Sequence, residues 1–597
     1  MIFDSRKVNY KRPFGAVATN QKVEFTFPLK DGVFVYSVYL VLGKDDKFTW
    51  YKLDYAGKEG EYSLFKGEIL LSSCGIYSYY FEVESEKGKE IYGKGESSKA
   101  LLHSDKKYQL TVFDKNYRTP QKHKGGVIYH VFADRFSRAS NRKKGVFHDN
   151  WYDKPNIKSL DGKYHADDFF GGDFEGIIQK IPYLKSLGVT TLYLSPIFES
   201  FSNHRYDTGN YLKIDSLLGD EKSFEKLCME CEKENISVML DGVFNHSGSD
   251  SLYFNKHNTY DSIGAYNDIN SPYHDWYYFD SFPDGYQSWW GIRNVPTLNK
   301  QNEEYRKLIF GDGGVIEKWT KLGASAWRLD VADELPSEFI EKIRKKLKSI
   351  KKDSLLIGEV WEDASTKYSY GTYRPYLLGK ELDGVMNYPF RNAILSYAQG
   401  GDSASFQNSV MEIVENYPKQ SLDCVMNFIG THDTVRSLNA LSGEQMPNGK
   451  QEQLNYEFSE ETLAFSKKRF KLASILNYTL PGVPSIFYGD EAGMTGWSDP
   501  LNRGTYPWGR EDKDLIEFFQ KLGKLRKQNK SILLGDIEFV EDSVLHFERK
   551  GKRGKLIILA NNTGKEKVCG VCGIDIITKE KINGIIKPYS ACVIKEN

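Results

Sequence analysis

The chain has 597 residues, more than one compact domain usually holds, although an α/β barrel can absorb 250 or more by itself. Lys plus Arg and Asp plus Glu both total 81, so the formal net charge is zero, which argues against a nucleic-acid polyanion or an anionic membrane surface as partner. Charged residues make up 27%, close to the ~25% of ordinary globular proteins, which excludes a disordered chain. The start, Met1 to Lys7, has no basic stretch leading into an apolar leader, and no apolar run approaches the ~18 residues that span a bilayer, so the chain reads as cytoplasmic. The seven cysteines are odd in number and sparse, unlike a disulfide framework. Cys228 and Cys231 share a zinc-like spacing with Cys569 and Cys572, but the first pair lies on an amphipathic helical stretch and the second in a β segment. They read as free thiols, and no metal is expected of them.

Up to about residue 120 the sequence alternates apolar and polar positions in short runs, such as Val23–Phe27, Val33–Val41 and Ile76–Val83, punctuated by Gly, Asp and Lys. That texture predicts an N-terminal β-sandwich. Residues 121–525 change to short apolar strands followed by helical patterns. Strand candidates are Val127–Phe132, Thr191–Leu194, Ser237–Asp241, Ala326–Val331, Leu355–Val360, Gly384–Tyr388, Cys424–Ile429 and Ser485–Tyr488. Helical segments such as Phe174–Leu187, Ser223–Glu234 and Ser337–Ile350 lie between them. Eightfold strand–helix alternation predicts a parallel (β/α)₈ barrel, an α/β fold. One connection, about 247–298, is long and rich in Tyr, Trp, Asn and Asp, which predicts an inserted functional segment at the barrel's C-terminal face. From 526 to 597 the texture is β again, in Ser543–Arg549 and Leu556–Ala560, and predicts a second, smaller sandwich.

Catalytic groups of such barrels sit where the strands end. Those ends carry Asp241 with His246, Arg328 with Asp330, Glu359, and His432 with Asp433. Acids from successive strands, each beside a cation or an imidazole, supply the pair of carboxyl groups that a retaining glycosidase uses as nucleophile and acid/base. The aromatic content, 14%, is mainly core, but such rings also stack on the apolar faces of sugars.

The strings Asp241-Gly-Val-Phe-Asn-His246, Trp327-Arg-Leu-Asp-Val-Ala-Asp-Glu334, Gly358-Glu-Val-Trp361 and Gly430-Thr-His-Asp433 resemble the four signature regions of the α-amylase family, glycoside hydrolase family 13, in the family's order. Gly188–Phe198, Ser202–Asp207 and Gly482–Glu491 add to the resemblance, which covers roughly residues 120 to 515. It implies Asp330 as nucleophile, Glu359 as acid/base, and Asp433 as the acid that holds the hydroxyls of the reacting sugar. Arg328, two residues before Asp330 and so on the same strand face, would keep that carboxylate ionised. His246 and His432 would bond sugar hydroxyls, Tyr206 would stack beneath the sugar with His204 beside it, and Asp499 with Arg503 would bind the next unit. Trp361 and Glu334 would line the leaving-group side. For Asp499 and Arg503 a solvated turn, and for Trp361 a core position, are the competing readings.

An N-terminal sandwich before the barrel, with Val295-Pro-Thr-Leu-Asn299, resembles the neopullulanase, cyclomaltodextrinase and maltogenic amylase group. The resemblance implies a retaining hydrolase of α-1,4 glucosidic bonds in maltooligosaccharides, cyclodextrins or pullulan, and leaves open whether α-1,6 bonds are cut alongside them. It also implies a homodimer through the N-terminal domain, which in that group covers the partner's active site. Two other readings stay open: an α-glucosidase of the same family, separated by subsite depth, and a non-catalytic amylase-fold binding module, separated by turnover. An enzyme that cuts only α-1,6 bonds usually has a Tyr-Asn-Trp-Gly-Tyr string before its barrel, absent here, and a cyclodextrin-forming transferase would carry a further starch-binding domain. The chemistry needs no cofactor. The structural calcium of many relatives binds a loop after Asp-Arg-Phe, but here Asp134–Phe136 precedes the basic run Ser137–Lys144, whose cationic side chains cannot ligate calcium. Asn245 lies where other members support a second calcium.

Asp333 stands where the family's string usually has Asn, while Glu334 is retained. Asp333→Asn is expected to change the product pattern on pullulan and maltotriose without abolishing hydrolysis; identical patterns from variant and parent would refute this.

Overall fold

The structure is a computed structural model that describes residues 2–139, 148–159 and 162–596. The chain divides into two compact units. The first contains the residues up to Thr119 together with Glu362–Asp383 and Gln407–Leu422. Its sheet is folded into two layers by one strand, Lys47–Glu59. The first half of that strand pairs with Val35–Lys44, the second half with Tyr62–Leu70, and the register shifts between Tyr55 and Lys58. Switching sheets in this way lets one chain serve both layers of a sandwich. Alternate residues point inward, so Val23, Phe25, Phe27 and Leu29 meet Val38, Leu40 and Leu42 and the Tyr77, Tyr79, Phe81, Val83 row.

The second unit holds Pro120–Trp361, Gly384–Phe406 and Asp423–Asn597. Eight parallel strands form its centre: β1 (Ile128–Val131), β2 (Thr191–Leu194), β3 (Ser237–Gly242), β4 (Ala326–Leu329), β5 (Leu355–Gly358), β6 (Gly384–Val385), β7 (Met426–Asn427) and β8 (Val483–Phe487). Each pairs with its sequence neighbour, β1 pairs with β8, and a parallel bridge from Met386 to Met426 closes the ring. This is the (β/α)₈ barrel expected from the alternation. Its strands are buried on both faces, which is why they read as continuous apolar runs. Ile128, Tyr193, Met239, Ala326, Leu355, Ile357, Met426 and Val483 share one interior cluster.

Several elements are shorter or divided differently from the sequence expectation. The strand expected over Gly384–Tyr388 ends at Val385, because Tyr388 and Pro389 already open the helix Tyr388–Ala398. A proline without an N–H fits the first turn of a helix, where no bond is owed. The helix expected over Phe174–Leu187 is two helices, Phe174–Gln179 and Ile181–Ser186, with Pro182 in the first turn of the second. The helix placed at Ser223 starts at Glu221, because Asp220 caps it by accepting from the Ser223 amide at 2.8 Å. Ser337–Ile350 is helical with the expected bounds.

The inserted segment has little regular structure: short turns at His274–Trp276 and Trp289–Gly291 and a ribbon of Phe279–Ser281 with Gly285–Tyr286. Its interior is aromatic, with Tyr253, Phe254, Trp276, Tyr277 and Tyr286 buried. Bridges from His246 to Thr297 and from Tyr277 to Leu298 fasten it beside the end of β3. At the C-terminus a four-stranded antiparallel sheet and a two-stranded ribbon, Lys567–Ile574 with Lys581–Ile586, enclose Val544, Ile557, Leu559, Cys569, Cys592 and Ile594. Cys228 and Cys231 are buried, and Cys569 is buried while Cys572 is exposed; all seven thiols are free. No helix among the described residues is long and apolar enough to cross a membrane.

Barrel closure is tight at β6, where a Cβ on Gly384 would lie 2.7 Å from the Cys424 carbonyl oxygen. Gly384→Ala must push β6 from its neighbour, and overpacking of this kind costs about 1–3 kcal/mol. The expected result is a lowered midpoint of thermal unfolding; an unchanged midpoint would show that the closure tolerates a methyl group.

Candidate active site

The C-terminal ends of the strands place the polar groups. Asp241 lies near the end of β3, Arg328 on β4 with Asp330 just beyond it, Glu359 one residue past β5, and His432 with Asp433 after β7. Arg328 is fully buried and is the centre of the arrangement. Its Nη1 donates to Asp241 Oδ1 at 2.7 Å and to Asp330 Oδ1 at 2.8 Å, and its Nη2 lies 2.7 Å from Glu359 Oε2. Tyr193 and Tyr206 donate their hydroxyls to Asp241 Oδ2 at 2.6 and 2.9 Å. Directly after Asp330 the backbone turns left-handed at Val331, with φ of 38°, and the Val331 amide donates to Glu359 Oε2 at 2.9 Å. A β-branched residue rarely takes that conformation, so the local strain is held by what surrounds it.

The electrostatics follow from one cation serving three acids. Burial raises the Asp330 carboxyl well above the ordinary range, and Arg328 offsets part of that rise. Burial raises Asp241 as well, again opposed by Arg328. The three carboxyls share this one guanidinium, which opposes the rise that burial causes in Asp241 and Asp330.

The other expected residues surround this cluster. The Tyr206 ring stacks on His432 at 5.1 Å and 5°. The Tyr206 amide donates to His204 Nδ1 at 3.1 Å, which fixes the His204 ring beside it. His432 Nε2 is 3.2 Å from Asp433 Oδ2. Arg503 joins two acids, lying 3.6 Å from Asp433 and 3.0 Å from Asp499, and its Nε donates to the His432 carbonyl. The Asp499–Arg503 string is therefore built into the site and is not a detached solvated turn. Trp361 is 52% exposed, donates Nε1 to Glu359 Oε1 at 3.0 Å, and stacks on Tyr388 at 4.4 Å, so it is not a core tryptophan. Burial, followed by the charge of Lys300, pushes His246 down to about 3, leaving a neutral imidazole. Glu334 ends the turn Ala332–Glu334, and its charge partly offsets the burial that lowers Lys300 to about 8.

Several members of the site were not singled out from sequence. His130 on β1 stacks on Tyr193 at 4.2 Å and meets the edge of His432 at 5.2 Å. Trp289 stacks on His246 at 5.2 Å. A histidine or tyrosine inside an otherwise apolar strand is the signal that could have found His130 and Tyr193.

Residues 140–147 of the basic loop lie outside the described residues. Asn245 Oδ1 accepts from Lys300 Nζ at 2.8 Å, so that oxygen is already engaged by an ammonium group. Among the described residues no cluster of three His, Cys, Asp or Glu side chains could hold a metal.

Residues 130–527 match the family model of the α-amylase catalytic domain. The chain belongs to the α-amylase family of glycoside hydrolases. It is 35% identical over 618 residues to an amylopullulanase of Thermoanaerobacter thermohydrosulfuricus, covering 92% of this chain and 40% of that protein. It is 34% identical to a cyclomaltodextrinase of Thermoanaerobacter pseudethanolicus, covering 74% of this chain and 71% of that one. A solved cyclic α-maltosyl-(1→6)-maltose hydrolase from Arthrobacter globiformis superposes with a TM-score of 0.66 at 25% identity, over 80% of this chain and 99% of that one. The chain spans less than half the length of the amylopullulanases it matches.

Arg328→Met is expected to lower kcat by about 10²–10³-fold or more, since it removes the charge that organises the acids. Folded carboxyl pKa values above the unfolded ones make stability largest at low pH and progressively lost as pH rises through the raised values. The thermal midpoint of the variant should therefore fall further below that of the parent at pH 8 than at pH 5; a gap that narrows with rising pH would contradict the charge account.

Proposed function

We propose that this chain is a retaining α-glucan hydrolase that cleaves α-1,4 and also α-1,6 glucosidic bonds in maltooligosaccharides, cyclodextrins or pullulan. The observation that carries the reading is the single buried guanidinium of Arg328 bridging Asp330 and Glu359. One planar group holding both carboxyls keeps them at one site, where a retaining glycosidase needs a nucleophile and an acid/base. The amylopullulanase and cyclomaltodextrinase relatives support the substrate class.

In this reading Asp330 attacks the anomeric carbon as Glu359 gives its proton to the departing glycosidic oxygen, so the C–O bond breaks and a glucosyl ester forms. Water then enters. Glu359 takes a proton from it, the water oxygen bonds to the anomeric carbon, and Asp330 leaves as carboxylate. Trp361, bonded to the second oxygen of Glu359, orients the acid. Asp433, held by Arg503 and His432, is placed to accept hydrogen bonds from the sugar hydroxyls.

Product analysis after separate incubation with pullulan, β-cyclodextrin and maltotriose tests this. Panose from pullulan and opening of the ring are expected, with Asp330→Asn slower by on the order of 10⁴-fold or more. Glucose from maltotriose with rings and polymer untouched would move the assignment to an α-glucosidase, and no turnover on any of the three would leave only a binding module.

A further inference from the structure

Lys300 is buried, yet its ammonium makes one hydrogen bond among the described residues, from Nζ to Asn245 Oδ1 at 2.8 Å. The acid whose charge it feels, Glu334, offsets only part of the effect of burial. An ammonium in such surroundings is expensive, and a methionine of similar length would fill the space without that cost. The fold alone does not account for a lysine here.

What the ammonium does is settle the neighbouring amide. The oxygen and nitrogen ends of an asparagine side chain have nearly the same shape, so packing does not distinguish them. An ammonium has three donors and no acceptor, so only the oxygen end can face it. Asn245 is therefore turned with its Nδ2 toward His246, 3.4 Å from Nδ1 of that ring. An amide nitrogen only donates, so Nδ1 must accept. Burial beside the Lys300 cation keeps the His246 ring neutral, and a neutral imidazole has one donor and one acceptor nitrogen. With Nδ1 accepting, the proton is on Nε2. The ring's hydrogen bond to the Tyr206 main chain, which favours the protonated ring, is then a donation from Nε2. The ring has little other freedom, because Trp289 stacks on it at 5.2 Å and 22° and a bridge to Thr297 fixes its backbone. The tautomer is what packing leaves to be set.

We propose that Lys300 is a positioning residue of this site: through Asn245 it holds His246 in the tautomer protonated at Nε2. This rests on the α-glucan reading above, in which His246 meets a sugar hydroxyl and offers it Nε2–H. The string around Asn245 and His246 does not carry the device, because Lys300 lies 55 residues beyond Asn245. Removing the ammonium frees the amide to turn either way. Replacing the amide by a group that only accepts moves the proton to the other nitrogen.

The test reads the tautomer directly, by long-range proton–nitrogen correlation on protein with isotope-labelled histidine, the His246 signals being assigned by their loss in His246→Gln. The parent should show Nε2 protonated and Nδ1 bare. In Asn245→Asp the carboxylate still accepts from Lys300 but has no N–H, so a proton should appear on Nδ1. On maltotriose kcat/KM should then fall about 10²-fold or more, the direction and scale of a histidine in the wrong tautomer. Lys300→Met should leave both tautomers populated and cost less activity than Asn245→Asp. Lys300→Arg, again a donor without acceptors, should restore the single tautomer. A parent protonated at Nδ1, or a proton that stays on Nε2 alone in Asn245→Asp or in Lys300→Met, would overturn the proposal; Lys300→Met decides by itself if Asn245→Asp does not fold. The tautomer is read without turnover, so the two readings fail separately. The expected tautomers in a parent inactive on α-glucans would sink the hydrolase reading and keep this one; an active parent protonated at Nδ1 would do the reverse.

Discussion

The buried guanidinium of Arg328 is the constraint on which the rest of this site depends. Taking a cation and three carboxyls out of water is expensive, and their attraction repays it only with good geometry and satisfied hydrogen bonds. Here Asp241 accepts from Arg328, Tyr193 and Tyr206 together, while Glu359 accepts from the Val331 amide and Trp361 as well as lying against Arg328. Those partners come from β2, β3 and β4 and from the loops that follow β2, β4 and β5. The cluster can therefore be satisfied only when neighbouring strands hold their register, and the parallel pairing of Asp241 with Arg328 across β3 and β4 sets that register directly at the site. A polar site of this kind specifies the barrel's mouth more than it stabilises it.

Two bulky residues with left-handed backbone lie near the same end of the barrel. Val331 turns left-handed immediately after Asp330, and that turn aims its amide at Glu359. Trp290 is left-handed at the rim of the inserted segment. Both positions depend on surroundings that overdetermine the backbone: the closed ring of strands for Val331, and the aromatic interior and bridges of the insertion for Trp290. The inserted segment has almost no regular secondary structure to rigidify it, so its packed rings take that role, with Phe254 contacting Tyr277 at 4.8 Å and Tyr286 at 4.7 Å.

Much of this architecture is legible in the sequence because a barrel repeats one pattern. Eight short apolar runs separated by helical periodicities admit few other arrangements, and the acids at their ends follow from where parallel strands stop. Element boundaries are less legible where an apolar run passes from strand into helix, as from Val385 to Tyr388, since continuous apolar sequence does not distinguish the two. The Arg328–Asp330 pairing could be anticipated from their two-residue spacing, but the share of Arg328 taken by Asp241 and Glu359 depends on three strands meeting. The exposure of Trp361, the positive φ of Val331 and Trp290, and the Lys300–Asn245 bond are likewise products of tertiary packing that no local string encodes.

The histidines complete the electrostatic design. His130, His246 and His432 are buried, and desolvation pushes each of them well down, with the positive charge of neighbours adding to the effect. At neutral pH they are uncharged rings: His130 packs on Tyr193 and His432, while His246 and His432 are left with the donor and acceptor capacity that sugar hydroxyls require. Neutrality matters for the chemistry as well. A glycosidic bond breaks through a state with positive charge on the sugar. Imidazolium groups around it would oppose that charge, whereas neutral rings beside Asp241, Asp330 and Asp433 leave the pocket's field negative. Arg328 and Arg503 do not reverse this, because each is committed to more than one carboxylate. The pocket can therefore favour a cationic sugar while the guanidinium groups hold the acids in place, a division of labour that depends on keeping the histidines neutral.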